Sequence, residues 1–495
     1  MSNRLAQLLL GSGLLVLSTG CTTLGPDFKA PELRAPAQWS ELHGGGAELA
    51  APATALAALP ADRWAVFADP ELSRLLALAS QANADVKTAA LHLLQSRADE
   101  LTASAQRGIQ AGARGAVSRQ EQSRLGGGSR LVSAIGGANK EALLDVLSAP
   151  FTLYQAGFDA SWEPDLWGRV LRSVELAQAN TEGQRALLRQ VRWSISADVA
   201  RAYFALRSAQ RQTRLVQDGL AAAQQAETLL EAQHRHGLAD ESALLRQRSQ
   251  RAGLHAQLPI WLAQEAQAIN RITLLCGAEP GWMNDSLRAA HLGQDTAALP
   301  DLRLGLPADL IRRRPDVAAA EAHLHAATAG IGIAMADLYP RITLGASFGI
   351  ESVGSSKFGE WSSRQWSVGP SLNIPVWDQG RRRATITLRE LQQQEAAVAF
   401  QQAVLKAWHE VDDAVAAYLA ESQRELDFAA RVRLGHDDAQ LAQARYRQGL
   451  TNYLPVLSSR TALIEAERDR SDSAGRLRTA LVAVYKALGD DGTEP

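Results

Sequence analysis

From 366 to 376 the chain alternates: Trp366, Val368, Pro370, Leu372, Ile374 and Val376 are apolar, while Ser367, Gly369, Ser371 and Asn373 are small or polar. Period two predicts a strand with one oily face. At Asp378-Gln379-Gly380 the alternation stops, and a helical pattern follows over about 381–447. The same junction occurs earlier, where Tyr154, Ala156, Phe158, Ala160 and Trp162 alternate and a helical pattern runs from Gly168 to about Arg235. Within it Leu188, Ile195, Ala202 and Ala209 recur every seven residues, with Val199 and Leu206 between them. That spacing predicts a coiled-coil seam.

Taken in order, the remaining pattern predicts helices over about 69–81 and 83–107, then a weak strand from Ile109 to Val117. The glycine-rich stretch 125–140 reads as an exposed loop. After a break at Gly237, a helix over about 241–276 is expected to be interrupted or shifted near Pro259. Residues 278–307 look irregular; a helix then precedes Arg312-Arg313-Arg314, another covers 315–338, and a strand alternates over 342–350. Past Gly449 a last helix covers about 453–488. The pairs Gly157/Gly369, Gly168/Gly380, Gly237/Gly449 and Gly277/Gly489 are each 212 residues apart. So long a period marks a duplicated half, not a solenoid unit.

Each half thus offers two strands of about ten residues, enough to cross a bilayer when tilted, with one apolar and one polar face. Trp162, Trp167, Trp361, Trp366 and Trp377, five of the eleven tryptophans, fall at strand ends, as an interfacial girdle would place them. A soluble sandwich with tryptophan in its core is the competing reading. Four strands cannot close a barrel, since about eight is the usual minimum, so a membrane wall would need several copies. The two longest helical patterns would each extend about 100 Å at 1.5 Å per residue.

Composition adds little, but the N-terminus adds much. A formal net charge of −2 offers no basic field for nucleic acid. Arg4, the apolar run Leu5–Leu17 and Ser18-Thr19-Gly20-Cys21 form a secretory signal too short to span a bilayer. Gly20-Cys21 resembles a lipoprotein signal, which would make Cys21 the acylated first residue, although Ser18 stands where leucine is usual. Thr22, not Asp, then points to the outer membrane. Residues 22–62 read as an extended tether wrapping a body, not a domain. Cys276, in an apolar helical run, would be a packed thiol without a disulfide partner.

Several motifs together resemble the outer-membrane factors of the TolC family, in the lipoprotein branch called NodT-like or OprM-like. They are Gly25-Pro26-Asp27-Phe28, Leu338-Tyr339-Pro340, Asp378-Gln379-Gly380-Arg381, Tyr446-Arg447-Gln448-Gly449 with Leu454, Val456 and Leu457, and Ala487-Leu488-Gly489. The resemblance implies an α+β membrane protein: a homotrimer whose twelve-stranded barrel, four strands per chain, continues into a long α-helical periplasmic barrel. It also implies a periplasmic adaptor and an inner-membrane pump of the resistance-nodulation-division type as partners. The expected division is a signal peptide over 1–20, a lipidated tether over 21–62, repeats over 63–295 and 296–489, and a tail over 490–495. An outlet for type I protein secretion and a non-conducting periplasmic coiled-coil scaffold are the alternatives.

By the same resemblance Gly237 and Gly449 lie at a periplasmic aperture. Leu454 occupies a position where such proteins carry leucine, but Pro455 and Ser458 stand where aspartates are usual, and Ala243 at the matching place in the first half. An aperture closed by Leu454 packing is therefore expected, with Asp240 and Glu241 as residual charge or as ordinary helix-start acids. Trp162, Trp167, Trp366 and Trp377 are the expected interface girdle. Arg381-Arg382-Arg383 open a helix where positive charge is unfavourable, which suggests lipid headgroups or a solvated run. His234/His236 and His323/His325 sit two apart, on different helix faces, so metal ligation is not expected. No HExxH, GxSxG, phosphate-loop or Cys/His motif supports an enzyme or a cofactor.

Overall fold

A computed structural model describes residues 23–32, 43–49, 64–126, 130, 140–289, 311 and 313–489. Cys21, the signal segment, the C-terminal tail, most of the 125–140 loop and most of the stretch before Arg313 lie outside the described residues. The described elements run α1 (Pro70–Ala82), α2 (Ala84–Ala105), β1 (Gln110–Gln120), α3 (Lys140–Ser148), β2 (Phe151–Trp162), α4 (Arg169–Arg235), α5 (Glu241–Leu275) and α6 (Asn284–Ala289). After these come α7 (Pro315–Ala336), β3 (Arg341–Ser352), β4 (Arg364–Asn373), α8 (Arg381–Arg447) and α9 (Leu454–Leu488). The chain divides into two compact units, one of residues 1–29, 96–180 and 324–395, the other of 30–95, 181–323 and 396–495.

The first unit holds one antiparallel sheet in the order β1-β2-β3-β4. Its register sorts the side chains by chemistry. Phe158 pairs with Phe348 and Phe348 with Trp366, an aromatic row on the same face as Ala160, Leu344 and Val368. The other face pairs Gln155 with Glu351, Ser347 with Ser367 and Thr343 with Ser371. Each of these pairs is hydrogen-bonded, at 2.6, 2.9 and 2.6 Å. The apolar row is uncovered: Phe158 and Trp366 are each 68% exposed. β4 is shorter than its alternation suggests. It ends at Asn373, because Pro375 cannot donate to a ladder, and Ile374 and Val376 lie outside the sheet, exposed.

The second unit is helical. Leu188, Ile195, Val199, Ala202, Leu206 and Ala209 are all buried, as the heptad spacing predicts. All of them but Ala209 belong to one core with Leu72, Leu75, Ile269, Ile272, Val411 and Leu481. Asp69 caps α1 by accepting from the N–H groups of Glu71 and Leu72, and it also accepts from the Tyr203 hydroxyl. Cys276 is buried, and burial pushes its thiol up to about 11. Two expectations need correction. α5 is continuous through Pro259; His255, whose carbonyl loses its donor there, and Pro259 are both exposed, so solvent can satisfy the freed acceptor. The loop expected over 125–140 gives way at Lys140 to a helix over 140–148, a stretch the sequence pattern left unread.

Candidate channel wall, junction and helical tip

In the first unit β2 and β4 pass into α4 and α8 through turns that solve one problem twice. A helix start leaves N–H groups without partners. Asp165 accepts from the N–H groups of Val170 and Leu171, at 2.9 and 2.8 Å. Asp378 does the same for Gly380 and Arg382, at 3.1 and 3.2 Å. Asp378 also takes the Arg382 guanidinium at 2.9 Å. This carboxylate answers the unfavourable charge that the three arginines bring to a helix start. Burial opposes ionisation of Asp378, but its hydrogen bonds with Arg382 outweigh that and hold its pKa below the ordinary value. Glu163 accepts from both Arg169 and Arg341, at 2.9 and 2.7 Å, tying β2, α4 and β3 together.

A strap of residues 23–28 packs beside this junction. Leu24 donates its N–H to the Trp167 carbonyl at 3.2 Å. Arg172, only 3% exposed, donates to the carbonyls of Leu24 and Gly25 and to the carboxylates of Asp27 and Glu175. Gly25 has φ +89°, and a Cβ there would sit 2.5 Å from the Gly332 Cα, so nothing larger fits. Phe28 stacks on His325 at 4.3 Å, and the His325 Nε2 lies 3.0 Å from Glu175. The tether is expected to wrap a body, and these contacts give its partners, Arg172 and His325, which lie 145 or more residues away and leave no local signal.

The four tryptophans expected as a girdle separate. Trp162 and Trp366 lie on the apolar face of the sheet by register, and Trp162 donates to the Arg107 carbonyl at 3.1 Å. Trp377 is 84% exposed, four residues beyond β4. Trp167 is part-buried instead, donating to the Pro340 carbonyl at 2.8 Å and packing on Tyr339.

In the second unit Gly237 and Gly449 end α4 and α8 with φ +72° and +71°. Leu238 donates its N–H to Gln233 and Leu450 to Arg445, the six-to-one bond of a Schellman cap in both halves. The starts of the following helices differ. Asp240 caps α5 by accepting from the Ser242 N–H and hydroxyl, which holds its carboxyl below the ordinary range, and Glu241 is the first residue of the helix. α9 begins at Leu454, whose N–H goes to Asn452, with Pro455 next and no acid in its first turn. Leu454 is 40% exposed, and Ser458 donates to the Pro455 carbonyl. Among the described residues no group of His, Cys, Asp and Glu could hold a metal ion, and no helix is long and apolar enough to cross a membrane. The latter says nothing of a β-wall.

A two-faced four-stranded sheet with helices of 67 residues leading from β2 and β4 is the fold of outer-membrane channels. The profile of the outer membrane efflux proteins matches residues 75–278 and 306–490, and the chain belongs to that family. It is an outer-membrane efflux channel protein, of a family of channels and not of enzymes. It is 30% identical over 494 residues to the outer membrane protein OprJ of Pseudomonas aeruginosa, covering 96% of this chain and 94% of that one. It is 31% identical over 445 residues to the pyoverdine export outer membrane protein OpmQ of Pseudomonas putida, covering 87% and 88%. Among solved structures, the outer-membrane channel OprN superposes with a TM-score of 0.79 at 29% identity, over 94% of this chain and 99% of that one. The CusC channel gives 0.75 at 25%, over 94% and 99%.

Proposed function

We propose that three copies of this chain form one duct, each giving four strands to a twelve-stranded barrel and its long helices to a periplasmic tunnel. The observation that carries this is the open sheet: one face apolar and uncovered, the other polar, and β1 and β4 without an outer partner among the described residues. An exposed apolar face of this kind calls for lipid, and an open sheet too small to close calls for further copies. In this reading the polar face lines the pore. Residues 1–20 are removed, acylated Cys21 anchors the tether over 21–62, and repeats over 63–295 and 296–489 each supply one hairpin and one helical pair. The duct serves a resistance-nodulation-division pump through a periplasmic adaptor and exports small molecules, in keeping with the efflux and export named for its relatives.

Gly237 and Gly449 turn the helices at the periplasmic aperture. Leu454 supplies an apolar ring that excludes water, with Ser458 one turn further along α9, and Asp240 and Glu241 belong to the neighbouring helix start. Trp162, Trp366 and Trp377 stand at the lipid interfaces, with Trp167 anchoring the turn beside them. The test is native mass spectrometry of the detergent-solubilised protein together with planar-bilayer recording. A mass of three chains and discrete conductance steps are expected. A folded protein that is monomeric and never conducts would refute the duct and favour a scaffold.

A further inference from the structure

The strand-to-helix junction of the first unit carries a half-open cleft of about 310 Å³, in the size range of small-ligand sites. Its lining comes from three segments, those following β2 and β4 and that preceding β3. Most of its charges are already engaged: Glu163 holds Arg169 and Arg341, Asp378 holds Arg382, and Asp165 caps α4. Two exposed lining groups, the Arg381 guanidinium and the Asp337 carboxylate, make no side-chain hydrogen bond or close ion pair with a described residue, although Asp337 lies near enough to Arg169 to favour its charge. The helix start itself is not the attraction, because Asp378 already takes N–H groups there. What is left is one unpaired cation, an anion that meets Arg169 only through space, and a second arginine on a shared glutamate, with the Trp167 and Tyr339 rings beside them.

We propose that this cleft binds the headgroup of a zwitterionic phosphoethanolamine lipid from the periplasmic leaflet. The phosphate is held by Arg381 and Arg341, and the ammonium by Asp337. A guanidinium suits phosphate, forming two charge-assisted bonds at once. A primary ammonium can donate hydrogen bonds to Asp337, which the trimethylammonium of a choline lipid cannot. The place is right for a lipid: the cleft lies where Trp162, Arg341 and Asn373 end or begin strands of the wall, the level at which headgroups meet a membrane-crossing sheet. The aromatic pair Trp167–Tyr339, 4.9 Å apart, suits that interface. This inference rests on reading the sheet as the membrane wall.

The test is native mass spectrometry of the delipidated full-length protein titrated with phosphatidylethanolamine, phosphatidylcholine, phosphatidylglycerol and water-soluble glycerophosphoethanolamine. The wild type should prefer the ethanolamine lipid over the choline lipid by roughly tenfold, the size of a charged hydrogen bond. Asp337→Asn should abolish that preference while leaving choline-lipid binding in place. Arg381→Gln should weaken every phosphate lipid. Equal binding of the three lipids, or a preference untouched by Asp337→Asn, would overturn the proposal. Saturable binding of the soluble headgroup as tight as the lipid would overturn the lipid as source. Reconstitution into vesicles followed by protease protection separates the underlying reading: a protein that never inserts refutes the wall, whereas one that inserts without selectivity refutes only the headgroup site.

Discussion

The two halves of the chain share a scaffold and differ at their tips. α4 and α8 are both 67 residues, and α5 and α9 are both 35. Both long helices end on a glycine with nearly the same positive φ. Where α5 starts, however, an aspartate caps it and a glutamate follows, whereas α9 starts with leucine and proline on an asparagine side chain. The clasps behind the tips differ too. Glu227, 5% exposed, accepts from Arg248 and forms an ion pair with Arg251 across the first helical pair, while Arg431–Asp469 and Arg470–Glu425 join the second pair on the surface. The geometry of the two helical pairs repeats, while the chemistry at the helix starts does not.

Substituting valine at the two glycines probes the shared part. A left-handed β-branched residue costs about 2 kcal/mol, and nothing lies within 4 Å of either Cβ position to add to it. Gly237→Val and Gly449→Val should therefore speed hydrogen exchange in their own turns by similar factors. A large effect at only one would break the symmetry. The clasps should show a smaller and unequal effect. Glu227→Ala strips two arginines of a buried partner and should raise exchange in α5 about fivefold. Asp469→Ala removes a surface pair and should change α9 by less than about twofold.

Acidification should give the smallest effect, and on one side only. Asp240 is held below its ordinary 3.8 chiefly by its hydrogen bonds with Ser242. A carboxyl depressed on folding adds stability above its unfolded pKa and loses it as pH falls through the folded value. The Gly237 turn should thus loosen as pH drops below 3.8, whereas the Gly449 turn, with Asn452 at its helix start, should not. Exchange measured across that range on both turns checks the difference.

Long periodic elements were legible in the sequence, and the details of the site were not. The bounds of α4 and α8 follow from helical patterns closed by a glycine, and the two faces of the sheet follow from strict alternation. β4 was overread because Ile374 and Val376 keep the alternation beyond Pro375, where the ladder ends. A wrapping tether was legible but its partners were not, because the hold on Asp27 comes from Arg172 and the Phe28 ring rests on His325, with no periodic signal in any of them. The paired charges of the junction were equally hidden. Arg381-Arg382-Arg383 looked like one run, yet only Arg382 is paired with Asp378.

The central claim is that an apolar ring at Leu454 closes a conducting duct, and single-channel recording in planar bilayers tests it most directly. Leu454→Ala should conduct several-fold more than the wild type, with Asp240→Asn close to wild type. A Leu454→Ala channel no more conducting than the wild type would contradict the account.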